Sequence, residues 1–534
     1  MTDRVGDCRL YSRHWAVLVG GVGVVAFAMA AAVSWLLPFT PRVHDEFSYL
    51  LAADTLLHAR LSNPAPQLWQ PFQSFHIVLQ PSYASKYSLG LTLLIALGWG
   101  VMGTPIAGCW LAAGICASSI TWMLAGLTSR RWAVLGGLLV ACHPPLQLAW
   151  SQHLISGWLA AAGSALLAGG IFRLRRRHSH LAAGISGLGV GLLAITRPFE
   201  GLVATLLLSA LCWGLWRGRS FADKLWSIAR ALPAALLPIA ASLTLILLQN
   251  WGVTGRLSQM SYQLHEQQYG VAPLFIFGQQ RVPVMEIEGQ WPAVVRDFHY
   301  GWSLDSYHDR AGLVGWFKGV GESVTVLWGL GIFFVLLPLV TALWWGRFRL
   351  PLWLAAVVAL QVFVSASVCW VFLHYLAPVI PWLVALGTLG LRRVFRVFAH
   401  ARWVSLSQRQ HFVGMLLVAQ TLLLVAHCLR NTSDDSNDWA MHRAQIAQGL
   451  QQLSGQHLVL VHYSPEHNPH QEWVYNLADL EAAKVLWARG ERSDWNAHLI
   501  ERYRASHWIW ELAADTPAAG LELKLRPDRS HGDG

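Results

Sequence analysis

Charge is scarce in this chain: Asp, Glu, Lys and Arg supply 13% of its 534 residues, against about 25% in a soluble protein. That shortage, with a mean hydropathy of +0.40, excludes an ordinary water-soluble globule. Cysteine is scarce as well. None of the seven cysteines lies beyond Cys428, so the polar carboxyl-terminal stretch has no disulfide framework, and no metal-type cysteine spacing occurs. That stretch also lacks a glycine-rich phosphate loop, which argues against a nucleotide site there. No tandem repeat is visible, whereas many transporters are built from repeated halves.

What the chain has instead is apolar runs of about 20 residues, the length that crosses a bilayer as a helix. The first, near 15–37, is too long for a removable signal, lacks a small-residue cleavage site and is followed by Pro38 and Phe39. The amino-terminal arginines Arg4, Arg9 and Arg13 keep that end in the cytoplasm and send the first span outward. Further spans are expected at 106–128, 132–149, 154–172, 181–196, 200–216, 231–249, 320–345, 350–368, 370–391 and 411–428, about eleven crossings in all. Residues 88–103 are read as a short re-entrant or peripheral helix. A full crossing there would put Arg130, Arg131 and Arg173 to Arg177 outside. With that assignment Arg217, Arg219, Lys224, Arg230, Arg347, Arg349 and the basic 392–409 stretch all fall inside, and the carboxyl-terminal tail is external. The formal charge of +10 therefore reports orientation in a membrane and implies no nucleic-acid partner. The 29 tryptophans suit an interfacial belt.

Directly after the first span stands Phe39-Thr40-Pro41-Arg42-Val43-His44-Asp45-Glu46-Phe47, two adjacent carboxylates and a histidine where a span meets water. Adjacent side chains do not share a face in a helix or a strand. One acid can therefore act as a base while the other holds a histidine, an arginine or a divalent cation. The alternative is a helix cap for the segment that follows. That segment, 47–61, has Tyr49, Leu50, Ala53, Leu56 and Leu57 at helical spacing and reads as a helix lying at the membrane surface. The first outer loop, 38–85, ends in aromatic and polar residues, Phe72, Phe75, His76 and Tyr83, and leads to Lys86 and Tyr87. A second outer segment, 250–318, carries Tyr262, His265, Glu266, Tyr269, Glu286 and Glu288, a mixture that lines sugar or peptide grooves and also covers ordinary surfaces.

From 431 the composition turns polar, and a small α/β domain over 431–534 is expected. It would have a strand at 457–463, a helix at 479–489, a second helix at 495–504 and a strand at 508–512. His457, His462, His467 and His470 do not form a compact tetrahedral set. Glu472, Trp473, Tyr475 and Asn476 read as a docking surface or the edge of a core.

This layout resembles the integral-membrane glycosyltransferases of the GT-C superfamily, nearest by pattern to the aminoarabinose and protein-mannosyl transferase group. The resemblance rests on the single span followed by Asp45-Glu46 and on Lys86-Tyr87 ahead of Leu89-Gly90. It rests also on His374-Tyr375-Leu376-Ala377-Pro378 with Pro381 near a late span. It implies an all-α polytopic membrane fold over 1–430 in the bacterial inner membrane, joined to the small extracytoplasmic α/β domain. It also implies inverting sugar transfer from a polyprenyl-phosphate donor to an extracytoplasmic, cell-envelope acceptor. Asp45 matches the family acid and would serve as base. Lys86 and Arg197 would face the lipid phosphate, with His374 and Tyr375 as hydrogen-bond partners. His153 stands where the family often has a second acid, and with Asp45 and Glu46 completes the catalytic candidates. His44, Tyr87, Glu200, Tyr262, His265 and Tyr269 are candidates for the sugar or acceptor. Arg197-Pro198-Phe199-Glu200 has a plainer reading, an ion pair that fixes a turn between two spans. Two other functions are compatible with the same residues: a lipid or glycan flippase, and a non-catalytic envelope assembly protein.

Overall fold

In the computed structural model of the chain the described residues are 13–176, 179–215, 220–287, 289, 291–331, 340, 349–400, 406–431, 438–516 and 522–526. Outside them lie Arg4, Arg9, Arg177, His178, Arg217, Arg219, Glu288 and Arg347, half of the span expected at 320–345, part of the basic 392–409 stretch and most of the tail beyond 516. The chain divides into two compact units. The first comprises Met1–Leu37, Ile106–Leu245 and Trp316–Thr432; the second comprises Pro38–Pro105, Ile246–Gly315 and Ser433–Gly534.

The first unit is helical: α1 (Arg13–Leu36), then, after two helices of the second unit, α4 (Ala107–Ala125), α5 (Arg130–Ala141), α6 (Pro144–Ser151), α7 (Gly157–Arg176), α8 (His180–Ala194), α9 (Pro198–Leu215) and α10 (Phe221–Thr254). Later helices span Arg349–Ser365, Ile380–His400 and Leu406–Asn431. Among the described residues five helices are long and apolar enough to cross a membrane, or six if the bent pair α5–α6, turned by 55° at its break, is one span. The fold class expected from the sequence is present, and the chain is a multi-pass membrane protein. Small residues let α1 and α4 approach closely: a Cβ on Gly23 would meet the Gly114 carbonyl oxygen at 2.8 Å, the packing that membrane helices favour. At the other extreme, only 6% of the apolar window of α10 is buried. Its bare leucines, Leu236, Leu237 and Leu243 among them, suit contact with lipid.

The second unit gathers the segments expected from the sequence to lie outside. It holds α2 (His44–Leu57), α3 (Leu89–Met102), α11 (Ser261–Tyr269) and a small sheet of β1 (Asn63–Pro64), β2 (Ile77–Val78) and β3 (Ser82–Ser85) in the order β1-β3-β2. A four-stranded sheet follows from β4 (Gln456–His462), β5 (Val485–Arg489), β6 (His507–Ala513) and β7 (Leu523–Leu525), ordered β5-β4-β6-β7, with β4 parallel to both neighbours and β7 antiparallel to β6. The described part of 431–534, expected as a domain of its own, shares one apolar core with residues of the 38–85 segment. Leu51, Phe72, Ile77, Leu79 and Tyr83 pack with Leu458, Leu486, Leu499 and Ile509.

Three local expectations need correction. The helix expected at 479–489 is a turn followed by β5. Val485-Leu486-Trp487-Ala488 is a continuous apolar run buried beside β4, and such runs cannot be told from a helix by periodicity. The helix expected to lie on a membrane surface is α2, and it is largely buried: Phe47, Leu51 and Ala53 have no exposed area. Finally, His374 and Tyr375 are not inside a helix. They occupy a turn ahead of a short 3₁₀ segment, Ala377–Val379, because Pro378 and Pro381 delay helix entry.

Candidate functional site

The first turn of α2 separates the two acids. Glu46 has no exposed area, and its Oε2 accepts hydrogen bonds from the backbone N–H groups of Arg42 at 2.8 Å and Val43 at 2.9 Å. It satisfies donors that a helix start leaves unpaired, so the capping alternative describes Glu46. Asp45 points elsewhere. Its Oδ1 accepts a 2.6 Å hydrogen bond from the Tyr87 hydroxyl.

Tyr87 is delivered by β3. The Ser85 hydroxyl at the strand's end lies 2.7 Å from that of Ser48 on α2 and accepts from the Tyr87 N–H at 3.0 Å. Asp45 and Tyr49 are one helical turn apart and therefore share a face. Tyr87 spans that face, its ring stacked 4.9 Å from Tyr49 while its hydroxyl reaches Asp45. Ser48 also donates to the His76 carbonyl at 2.6 Å, which in turn accepts from the Lys86 N–H at 3.1 Å. His76 adopts a φ of +64°, a left-handed conformation that costs a non-glycine residue about 1–3 kcal/mol. It was not among the site residues read from the sequence; such a backbone cost leaves no mark in composition.

Lys86 is 6% exposed. Its Nζ lies 3.7 Å from Glu266 Oε1, 4.8 Å from the centre of the Tyr262 ring and 5.6 Å from that of Tyr87. Burial pulls the ammonium below its ordinary range, opposed by the Glu266 and Asp45 charges. The partners come from α11, where Tyr262, His265, Glu266 and Tyr269 recur at helical spacing along one side. Its first residue holds Lys86 in place, the Ser261 hydroxyl donating to the Lys86 carbonyl at 3.0 Å. Burial alone would raise Glu266, but His265 and Lys86 outweigh it and bring the carboxyl down to about 2. His265, Tyr269 and His44 are buried. Burial and then Lys86 lower His265 to about 4. His44 is also lowered, by burial first and then by His470, and it stacks on Phe75 at 4.0 Å. His299, on the π-helical turn Phe298–Ser303, is lowered to about 3, again by burial first. Four buried polar atoms here, His44 Nε2, His76 Nδ1, His265 Nδ1 and the Tyr269 hydroxyl oxygen, meet no hydrogen-bond partner among the described residues.

The first unit holds the other candidates. Arg197 sits at the break between α8 and α9. Its Nε donates to the Ser156 hydroxyl at 3.1 Å, its guanidinium lies 4.5 Å from the centre of the Tyr375 ring, and its Nη1 is 3.7 Å from Glu200 Oε1. The turn-fixing pair is thus present, with a stacked tyrosine besides. His374 packs against Tyr375 with ring centres 4.7 Å apart. His153 lies in the loop between α6 and α7, where its carbonyl accepts from the Cys109 thiol at 3.3 Å. No group of three or more His, Cys, Asp or Glu side chains among the described residues is placed to hold a metal ion.

No family model matches the chain, and no curated protein does. Solved structures do. ArnT from Cupriavidus metallidurans bound to undecaprenyl phosphate is similar with 14% identity and a TM-score of 0.48, over 94% of this chain and 93% of that one. The Archaeoglobus fulgidus oligosaccharyltransferase in complex with Zn and sulfate has 12% identity and a TM-score of 0.49, over 92% of this chain and 68% of that one. The archaeal oligosaccharyltransferase AglB from the same organism, with an inhibitory peptide and a dolichol-phosphate, has 10% identity and a TM-score of 0.40, over 92% of this chain and 69% of that one. Likeness at this level leaves the chemistry to be argued from this chain's own side chains.

Proposed function

We propose that the protein is a membrane glycosyltransferase that moves a sugar from a polyprenyl-phosphate donor to an extracytoplasmic acceptor, with Asp45 as general base. The observation that carries the reading is the pairing of Asp45 with Tyr87 beside a buried lysine. The Tyr87 hydroxyl fixes the Asp45 carboxylate at 2.6 Å, and the Tyr87 ring is one wall of the Lys86 cage. A base must come within about 3 Å of the proton it removes. In this reading Asp45 takes a proton from the acceptor's hydroxyl or amine as that group attacks the anomeric carbon. The bond to the phosphate oxygen breaks, and the phosphate leaves with its electron pair. Lys86 meets the charge that grows on that oxygen and stabilises it more than the ground state. Glu46 supports the turn and does no chemistry. Tyr262, His265 and Tyr269 offer ring faces and nitrogens to the sugar or acceptor. Arg197, stacked on Tyr375, is a second candidate for an anionic lipid head, to be tested by itself.

A flippase would use the same polar groups without breaking a bond. The two are separated by incubating purified protein with a panel of polyprenyl-phosphate sugars and cell-envelope acceptors. The proposal expects free polyprenyl phosphate and glycosylated acceptor in equal amounts. Movement of intact donor across a vesicle membrane with no product formed would favour the flippase.

A further inference from the structure

The Asp45 turn is gripped from the far end of the chain. Three contacts converge on residues 42–47, and a fourth braces one of them. Arg42 pairs with Asp438 at 2.9 Å, and Asp438 itself caps the helix Trp439–Gln452 by accepting from the Ala440 N–H at 3.1 Å. The Phe47 ring stacks on Tyr475 at 3.8 Å, the two planes 7° apart, and meets Trp439 edge-on at 6.4 Å. The Arg443 guanidinium carbon lies 3.4 Å from the centre of the Tyr475 ring. Arg443 is in turn locked, Nε donating to the Trp473 carbonyl at 2.7 Å and Nη2 to the Tyr475 carbonyl at 2.8 Å.

We propose that Tyr475, braced by Arg443, is a positioning residue that sets the place of Asp45 through the stack on Phe47. The inference rests on the proposed role of Asp45 for its catalytic meaning, though not for its geometry. Simple core filling needs an apolar side chain at 475 and no particular plane. A stack with a cation bonded to the ring's own backbone is a more specific device, since guanidinium and ring fix each other's orientation. The salt bridge at Arg42 adds a second tie on the other side of Asp45. A carboxylate displaced by about 1 Å loses about a hundredfold in rate, so a fixed first turn is what a base at this point requires.

The test compares Tyr475→Leu, Tyr475→Phe and Arg42→Gln in the full-length protein, each followed by amide hydrogen exchange and by polyprenyl-phosphate release. Arg42 is partly exposed, its side chain 43% open, so that variant leaves the core intact. Exchange over residues 42–50 should accelerate by about tenfold or more in Tyr475→Leu and by a smaller factor in Arg42→Gln, with β4 unchanged. Tyr475→Phe, which keeps the ring, should match the parent. Turnover in Tyr475→Leu should fall with KM steady. Unchanged exchange at 42–50, or equal acceleration in β4, overturns the proposal, as does a Phe variant as impaired as Leu. A protein that shows the exchange pattern yet releases no polyprenyl phosphate keeps the clamp and loses the transferase reading.

Discussion

The Tyr87 hydroxyl donates to Asp45 Oδ1 at 2.6 Å, joining the end of a short strand to the first turn of a buried helix. A hydrogen bond to a charged group is worth about 1.5–3 kcal/mol. Tyr87→Phe should therefore lower turnover by about tenfold to a hundredfold, if the bond fixes the base in the transition state. Steady-state release of polyprenyl phosphate reads this directly. A Phe variant as fast as the parent would show that Asp45 is held well enough without Tyr87.

Glu46 should behave as a cap. Glu46→Ala is expected to lower stability by about 0.5–2 kcal/mol, the usual cost of a lost N-terminal cap, read as a drop in melting temperature. Its remaining folded fraction should keep catalysing. A fully stable but inactive Glu46→Ala protein would instead make Glu46 part of the chemistry.

Acid should loosen the second unit. His265 is lowered from 6.5 to about 4, and His299 to about 3, burial being the main cause for both. Between those values and 6.5 the unfolded chain binds more protons than the folded one. Stability therefore rises with pH across that window and is lost as pH falls through it. Glu266, held near 2 against an ordinary 4.5, adds a loss of the same sign lower down. Melting temperature should drop as pH falls from about 7 to about 4, and less steeply in His265→Gln. Identical slopes in the two proteins would contradict the burial account.

The Arg489–Glu472 pair deep in the carboxyl-terminal sheet is a stability element. Both side chains have no exposed area and their closest atoms are 2.5 Å apart; Arg489 Nε also donates to the Gln73 carbonyl at 2.9 Å. Arg489→Met alone should cost about 3–5 kcal/mol, because it strands a buried carboxylate. Arg489→Met with Glu472→Leu should recover much of that loss. A double variant no better than the single one would locate the cost in the lost tie to Gln73.

Much of this was legible in the sequence, and the reasons differ from place to place. Apolar runs are long signals, so α1, α4 and α7 stand close to their expected positions. The order Asp45-Glu46 was legible as either a cap or a base; only the geometry separates the two side chains, Glu46 turning to the backbone and Asp45 to Tyr87. Lys86 was singled out, but its partner Glu266 is 180 positions away in sequence, and no local pattern joins the two. β5 was read as a helix because a strand buried on both faces loses the alternation that marks a strand. Arg489 and Arg443 gave no signal of their burial, since an isolated arginine in a polar tail looks like surface, whereas Tyr475 was legible as either a docking surface or the edge of a core.

Arg197 separates two accounts of one turn. If it meets a lipid phosphate, Arg197→Ala should weaken binding of polyprenyl phosphate by about tenfold or more, a charge-assisted contact being worth about 1.5–3 kcal/mol. The melting temperature would stay close to the parent's. Unchanged binding with lowered stability would leave Arg197 as the partner of Glu200 alone.

The central claim is that Asp45 removes a proton, and its most direct measurement is the turnover of Asp45→Asn. That variant keeps the shape and can still accept from Tyr87, while losing the base. With parent and variant folded to the same degree and supplied with the donor and acceptor that the parent uses, polyprenyl-phosphate release should fall by about a hundredfold or more, the usual range for a lost general base. Release at the parent's rate would contradict the account.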